Sequence, residues 1–151
     1  MSTRGDIKAN FLSTLRSVKR GSTITLADGT TYRYLHTFGK VDGDIEPIDT
    51  VGQCMPAAYV TMGDSEENWQ PSRMCKSEVS FVLTFYIHQD NKLDDYASEI
   101  WEDVLFACMQ DITRGGYAVK CLLDKTLLNT ESFAPYGIME MFFTVTHFVQ
   151  A

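Results

Sequence analysis

The sequence has no apolar run approaching the ~18 to 20 residues that a spanning helix needs, and its opening, MSTRGDIKAN, lacks the apolar segment of a secretory signal. A soluble protein made and kept in a cytosol is expected, with no membrane partner. Cysteine is sparse: Cys54, Cys75, Cys108 and Cys121 form no C-x-x-C pair and have no histidine at zinc-ligand spacing. Reduced, mostly buried thiols are expected, because disulfides need an oxidising compartment that nothing else implies. Histidine is sparser still. His36, His88 and His147 each stand alone in a strand-like stretch, without H-x-x-x-H or H-E-x-x-H. There is no G-x-S-x-G elbow, P-loop or G-x-G-x-x-G. No catalytic, metal or cofactor residue is assigned, and a non-enzymatic protein is expected. One route to a small cytosolic enzyme or ligand-binding domain remains, in which neighbouring strands bring His88 and His147 together near carboxylates.

What is present is the composition of one globular domain, residues 1–151, with 44% hydrophobic and 22% charged residues. Such a chain buries roughly 70% of its unfolded surface without staples. Its net charge of −7 is unevenly spread. Residues 1 to 40 hold seven basic and two acidic residues, net +5, and the remainder holds six basic and eighteen acidic, net −12. Solvated faces account for this, as does a heterologous contact in which the basic end of one copy meets the acidic body of the next.

The stretch from Lys76 to Gly116 organises the chain. Val79, Phe81, Leu83, Phe85 and Ile87 alternate with more polar residues, the period of a strand with one face buried. From Leu93 the period changes, and Leu93, Tyr96, Ala97, Ile100, Val104 and Cys108 form one helical stripe. Asp90 or Asn91 is the expected N-cap, Asp94 and Asp95 complement the dipole, and Gly115-Gly116 supplies the expected C-terminal stop.

Before this stretch, a basic amphipathic helix is expected from about Thr3 to Lys19, with Ile7, Phe11, Leu15 and Val18 on one stripe. It suits a core-packed helix better than a membrane-surface one, given Ser13, Thr14 and Ser17. A hairpin follows, Thr23 to Ala27 and Thr30 to Phe38 around Asp28-Gly29, with a type I′ turn. Tyr32, Tyr34, His36 and Phe38 share one of its faces. Such a ladder can stack bases, but in an acidic domain a packed sheet face fits better. Gly39 to Pro56 reads as a long acidic loop. Asp42, Asp44 and Glu46 open like a calcium loop, but Pro47 and Gln53 occupy the positions of its glycine and bidentate glutamate. A short strand, Ala57 to Met62, precedes a second loop, Gly63 to Cys75, whose Trp69 either caps the core edge or anchors a partner. After the helix come a strand, Tyr117 to Leu123, a third loop, Asp124 to Tyr136, and a closing strand, Gly137 to Val149, with Met139, Met141, Phe143, Val145 and Val149 on one face. The expected fold is α+β, a mixed or antiparallel sheet with two main helices on one face, in the order α-β-β-β-β-α-β-β. Its two strands of about thirteen residues are roughly twice the usual length.

On the long helix, Asp95, Glu99, Glu102 and Asp103 give an acidic surface or lining, and Phe106 and Met109 continue the same sector as apolar residues. Burial under a loop and a subunit contact both explain that change. Phe106→Asp is expected to leave a folded chain that no longer assembles. Candidate contact residues are Phe106, Met109, Trp69, Arg16, Lys19 and Arg20.

The element order, with PAAYVTMGDSEE at Pro56 to Glu67 and DITRGGYA at Asp111 to Ala118, resembles the tail terminator, or tail completion, proteins of tailed bacteriophages. The resemblance implies a non-enzymatic homo-oligomer, a hexameric ring on the head-proximal end of the tail tube. Such a ring stops tube polymerisation and joins the tail to the neck or connector protein. It implies residence in the virion after assembly in the host bacterial cytoplasm, no cofactor, and DNA that passes without specific binding. An acidic lumen repels duplex DNA, which carries a negative charge about every 1.7 Å. A head-closure or neck adaptor protein is the neighbouring alternative.

Overall fold

The computed structural model describes residues 2–51, 55–89, 91–133 and 135–150. Its elements are α1 (Thr3–Ser17), β1 (Thr23–Thr25), β2 (Thr31–Arg33), β3 (Lys40–Asp42), α2 (Ile48–Val51), β4 (Ala57–Trp69), β5 (Met74–His88), α3 (Leu93–Met109), β6 (Lys120–Asn129) and β7 (Tyr136–Gln150). The fold is α+β. A five-stranded sheet in the order β3-β4-β5-β7-β6 is antiparallel except where β3 runs parallel to β4, and β1 and β2 form a separate small hairpin.

The alternation in β5 and β7 does what its period dictates. The two strands pair over their whole lengths, from Met74 opposite Gln150 to His88 opposite Tyr136. Val79, Phe81, Leu83, Phe85 and Ile87 share a face with Met139, Met141, Phe143 and Val145, and all are buried. Ile7, Phe11 and Leu15 of α1 pack on that face beside Ala97, Ile100 and Val104 of α3. Phe11 sits 5.3 Å from Phe81 and 5.7 Å from Phe143, centroid to centroid. The opposite face carries a smaller core, where Val51 and Ile48 cover Ala57, Tyr59 and Tyr86. Val149, expected on the buried face, is exposed because it lies at the strand end. Fifteen residues of β5 span roughly 50 Å, longer than the about 38 Å diameter of a sphere with this chain's expected radius of gyration.

Three stretches read as loops contain regular structure. Gly63 to Trp69 continues β4, which pairs with β5 to Trp69 opposite Cys75 around an irregularity between Met62 and Ser65. Asp124 to Asn129 continues β6 past a second irregularity at Leu123/Lys125. Gly39 to Pro56 contributes β3 and α2. The helix ends also differ. The N-cap of α3 is Lys92, in the left-handed region at φ 54 and without a side-chain cap; Asp90 lies outside the described residues. Gly115 and Gly116 fall beyond the end of the helix, in a loop after Gln110. Finally, the β1-β2 turn places only Gly29 at positive φ, with the Gly29 N–H donating to the Leu26 carbonyl at 3.0 Å. That is a type I turn followed by a glycine bulge, not type I′.

Candidate functional site

The outer side of α3 gathers most of the sequence's candidate residues. Tyr32, Tyr34, His36 and Phe38 form a ladder packed on the helix and the sheet rather than exposed for stacking: Tyr32 contacts Phe106 edge-on at 4.7 Å, His36 meets Tyr96 at 4.5 Å, and Phe38 stacks on Phe85 at 5.5 Å. The helix is therefore sandwiched between the sheet and this ladder, which explains why its C-terminal half is apolar on two sides.

Asp103 holds the sandwich closed. Its carboxylate is fully buried and accepts from the Tyr32 hydroxyl at 2.5 Å, the Leu35 N–H at 3.0 and 3.2 Å and the His36 N–H at 2.9 Å. Burial, and then the hydrogen bond to this carboxylate, push the Tyr32 phenol far above its ordinary range. Asp103 thus leaves the acidic surface to which its charge assigned it. Its position was legible, since it falls three residues after Ile100 and four before Ala107, both buried. Asp95 and Glu102 are exposed, and Glu99 is half-buried beside His36, Oε2 to Nε2 3.3 Å. Phe106 is half-buried under Tyr32, so Phe106→Asp perturbs the fold as well as any contact, and Met109, 51% exposed, is the cleaner probe.

Between the β1-β2 turn and the end of α3 lies an apolar groove of about 360 Å³, lined by Leu26, Ala27, Asp28, Leu105, Phe106 and Met109 with Gln110. Arg20 and Arg33 line a second hollow with His36 and Glu99. Lys19 is exposed, and Arg16 donates to the Val41 carbonyl at 3.2 Å. Trp69 is not in a loop but at the exposed end of β4. A further acidic hollow, lined by Asp64, Glu66 and Glu78 with Ser80 and Thr144, lies on the sheet. It was hidden from sequence reasoning because Gly63 to Cys75 carries no strand period.

Two buried charged or titratable groups had no sequence signal as such. Arg114, 1% exposed, donates to the carbonyls of Cys108 at 2.9 Å and Asp111 at 2.5 Å and lies over the Phe11 ring at 4.9 Å. This guanidinium, rather than glycine, satisfies the end of α3. His147 is buried, and neither ring nitrogen has a hydrogen-bond partner among the described residues. Burial, and then the Arg4 charge, lower its pKa.

Among the described residues His88 and His147 do not come together into the shared site that an enzyme built on both would need, although the Glu67 carboxylate acts on His147 by itself. The register places His147 opposite Ser77 and His88 opposite Tyr136, at opposite ends of the β5-β7 ladder. Among the described residues no group of three potential ligands is placed to hold a metal ion, and no helix is long and apolar enough to cross a membrane. Cys75, Cys108 and Cys121 are buried free thiols, while Cys54 lies outside the described residues.

No family model and no curated protein matches the chain. A solved structure does: a chain of the virion of a native gene transfer agent particle, with 98% of each chain covered, a TM-score of 0.52 and 12% identity. This fold occurs in a virion. At that identity the likeness is one of fold, and it extends over nearly all of both chains.

Proposed function

We propose that the protein is a structural subunit of a phage-type virion, and more narrowly a tail terminator, forming a ring that caps the head-proximal end of the tail tube and joins it to the neck. The observation that carries the proposal is the end-to-end fold likeness to a virion chain. The exposed apolar groove, the exposed Trp69 and Met109, and the separation of His88 from His147 support an assembling rather than a catalytic role. Asp95, Glu99 and Glu102 are the residues proposed to face the lumen, where passing DNA meets repulsion rather than a binding site.

The test has two arms. Purified protein is examined by native mass spectrometry and negative stain, where a defined ring is expected. Particles assembled without it are imaged, where overlong tubes are expected. Tubes of normal length that fail to join heads would assign the protein to the neck instead. A strictly monomeric protein at high concentration, with and without tail tube, would refute the ring.

A further inference from the structure

Two exposed apolar features lie on different elements and share no residue. The first is at the far end of the sheet, where Trp69, Cys75 and Val149 stand in one row across β4, β5 and β7. Cys75 in the middle is 4% exposed, whereas Trp69 and Val149 on either side are 61% and 45% exposed. Directly beside them is the tight turn of Gln70 to Arg73, pinned by the Gln70 N–H on the Met74 carbonyl at 2.7 Å and the Arg73 N–H on the Gln70 carbonyl at 3.0 Å. Arg73 is held there in the left-handed region at φ 64. It is exposed and makes no ion pair among the described residues. The sheet end is therefore an apolar knob with a cation on its rim.

The second feature is the groove between the β1-β2 turn and α3. Its walls are apolar, Asp28 stands on its lining, and α3 has no basic residue in its last turn. At about 360 Å³ it is near the lower bound of ligand pockets, roughly 300 Å³, a size for one large aromatic side chain rather than a folded segment. It is an apolar hole with an anion on its rim, the counterpart of the knob in shape and in sign.

We infer that the sheet end of one copy docks on the groove of the next, with Trp69 seated against Leu26, Leu105, Phe106 and Met109 and Arg73 paired with Asp28. Knob and groove are different surfaces, so the contact is heterologous and runs head to tail, the kind that closes into a ring when the rotation permits. An aromatic anchor in an apolar pocket with a charged pair at its edge is the usual anatomy of an interface hot spot. This inference rests on the ring proposed above and supplies its subunit contact.

The experiment measures the mass of the full chain by sedimentation and native mass spectrometry across concentration, with thermal melts as folding controls. Trp69→Ala and Met109→Asp change exposed side chains and should leave the melts nearly unmoved. Each should weaken assembly about thirty-fold, the effect of losing a hot-spot residue. Arg73→Asp and Asp28→Arg should each weaken assembly, and the two together should restore it. In a Trp101→Phe background the Trp69 emission should shift to the blue on assembly. A ring that forms normally with Trp69→Ala, or a charge-swapped pair no better than its single variants, overturns this contact and leaves the ring intact. So does a ring that persists in Trp69→Ala while tube binding is lost, since the knob then serves the tube. A wild-type monomer under all conditions overturns both.

Discussion

Replacing Asp103 by alanine tests whether one carboxylate locks α3 to the aromatic ladder. The side chain is fully buried and receives hydrogen from the Tyr32 hydroxyl and the Leu35 and His36 N–H groups. The variant removes the acceptor of all three donors, and a buried group left unsatisfied costs about 1 to 3 kcal/mol. The Tyr32 hydroxyl is on a half-buried residue and turns to water, and the cost of desolvating the carboxylate disappears with it. The two backbone donors set the scale, but His36 is half-buried and Leu35 is 40% exposed, so each costs toward the low end of that range and a net loss of roughly 2 kcal/mol is expected. In a domain of this size that corresponds to a fall in Tm of about 4 to 8 °C. Asp103→Asn keeps one acceptor oxygen but turns an amide NH₂ toward the donors, and should fall between the two. Urea denaturation measures the loss, and native-state hydrogen exchange locates it: the Leu35 and His36 amides should lose protection first. A loss below about 1 kcal/mol, or a Tyr32→Phe and Asp103→Ala cycle without coupling, would refute the locking role.

Other consequences are checked in the same purified protein. His147 has a lowered folded pKa, so its neutral form carries stability that is complete above the ordinary histidine range and is lost as pH falls through the folded value. Stability measured from pH 8 to 5 should therefore fall, and His147→Phe should flatten that slope; an unchanged slope would exclude His147 as its source. Arg114→Leu leaves the Cys108 and Asp111 carbonyls without their donor and should cost about 3 kcal/mol in a urea melt, with Arg114→Lys rescuing it only in part because lysine lacks the planar fork. Burial pushes the Cys108 thiol up to about 11 and the Cys121 thiol up to about 12. Both should stay unlabelled by maleimide at pH 8 in the native state, and rapid labelling of either would contradict the packing.

The parts of the fold that bury a regular face were legible from period alone. β5, α3, α1 and β7 each bury one regular face more deeply than the rest, so their spacing survives in the residues. The second half of β4 was not legible, because Gly63, Asp64, Glu66, Glu67 and Asn68 are exposed and the strand owes its existence to pairing with β5. β3 owes its parallel pairing to Ala57, Ala58 and Tyr59, fifteen or more residues away, and no local signal carries that. At the candidate site, Trp69 and Met109 were visible as apolar residues in polar surroundings. The groove was not, because it forms only when the Leu26 to Asp28 turn meets α3. Asp103 shows the limit of reading charge as surface, since its spacing matched the buried side of the helix and its carboxylate found donors on another element.

The position of β7 in the sheet sets an order of events during synthesis. It lies between β5 and β6 and pairs with both, yet it is translated after either. From His88 at the end of β5 to Gln150 at the end of β7 the ribosome adds 62 residues, which at roughly 5 to 20 residues per second takes about 3 to 12 s. For that interval Val79, Phe81, Leu83 and Phe85 have a neighbour on one side only. A nascent chain stalled in this window presents an open strand to its surroundings, so the yield of folded subunit should depend on translation speed and on chaperone supply more than its equilibrium stability would suggest.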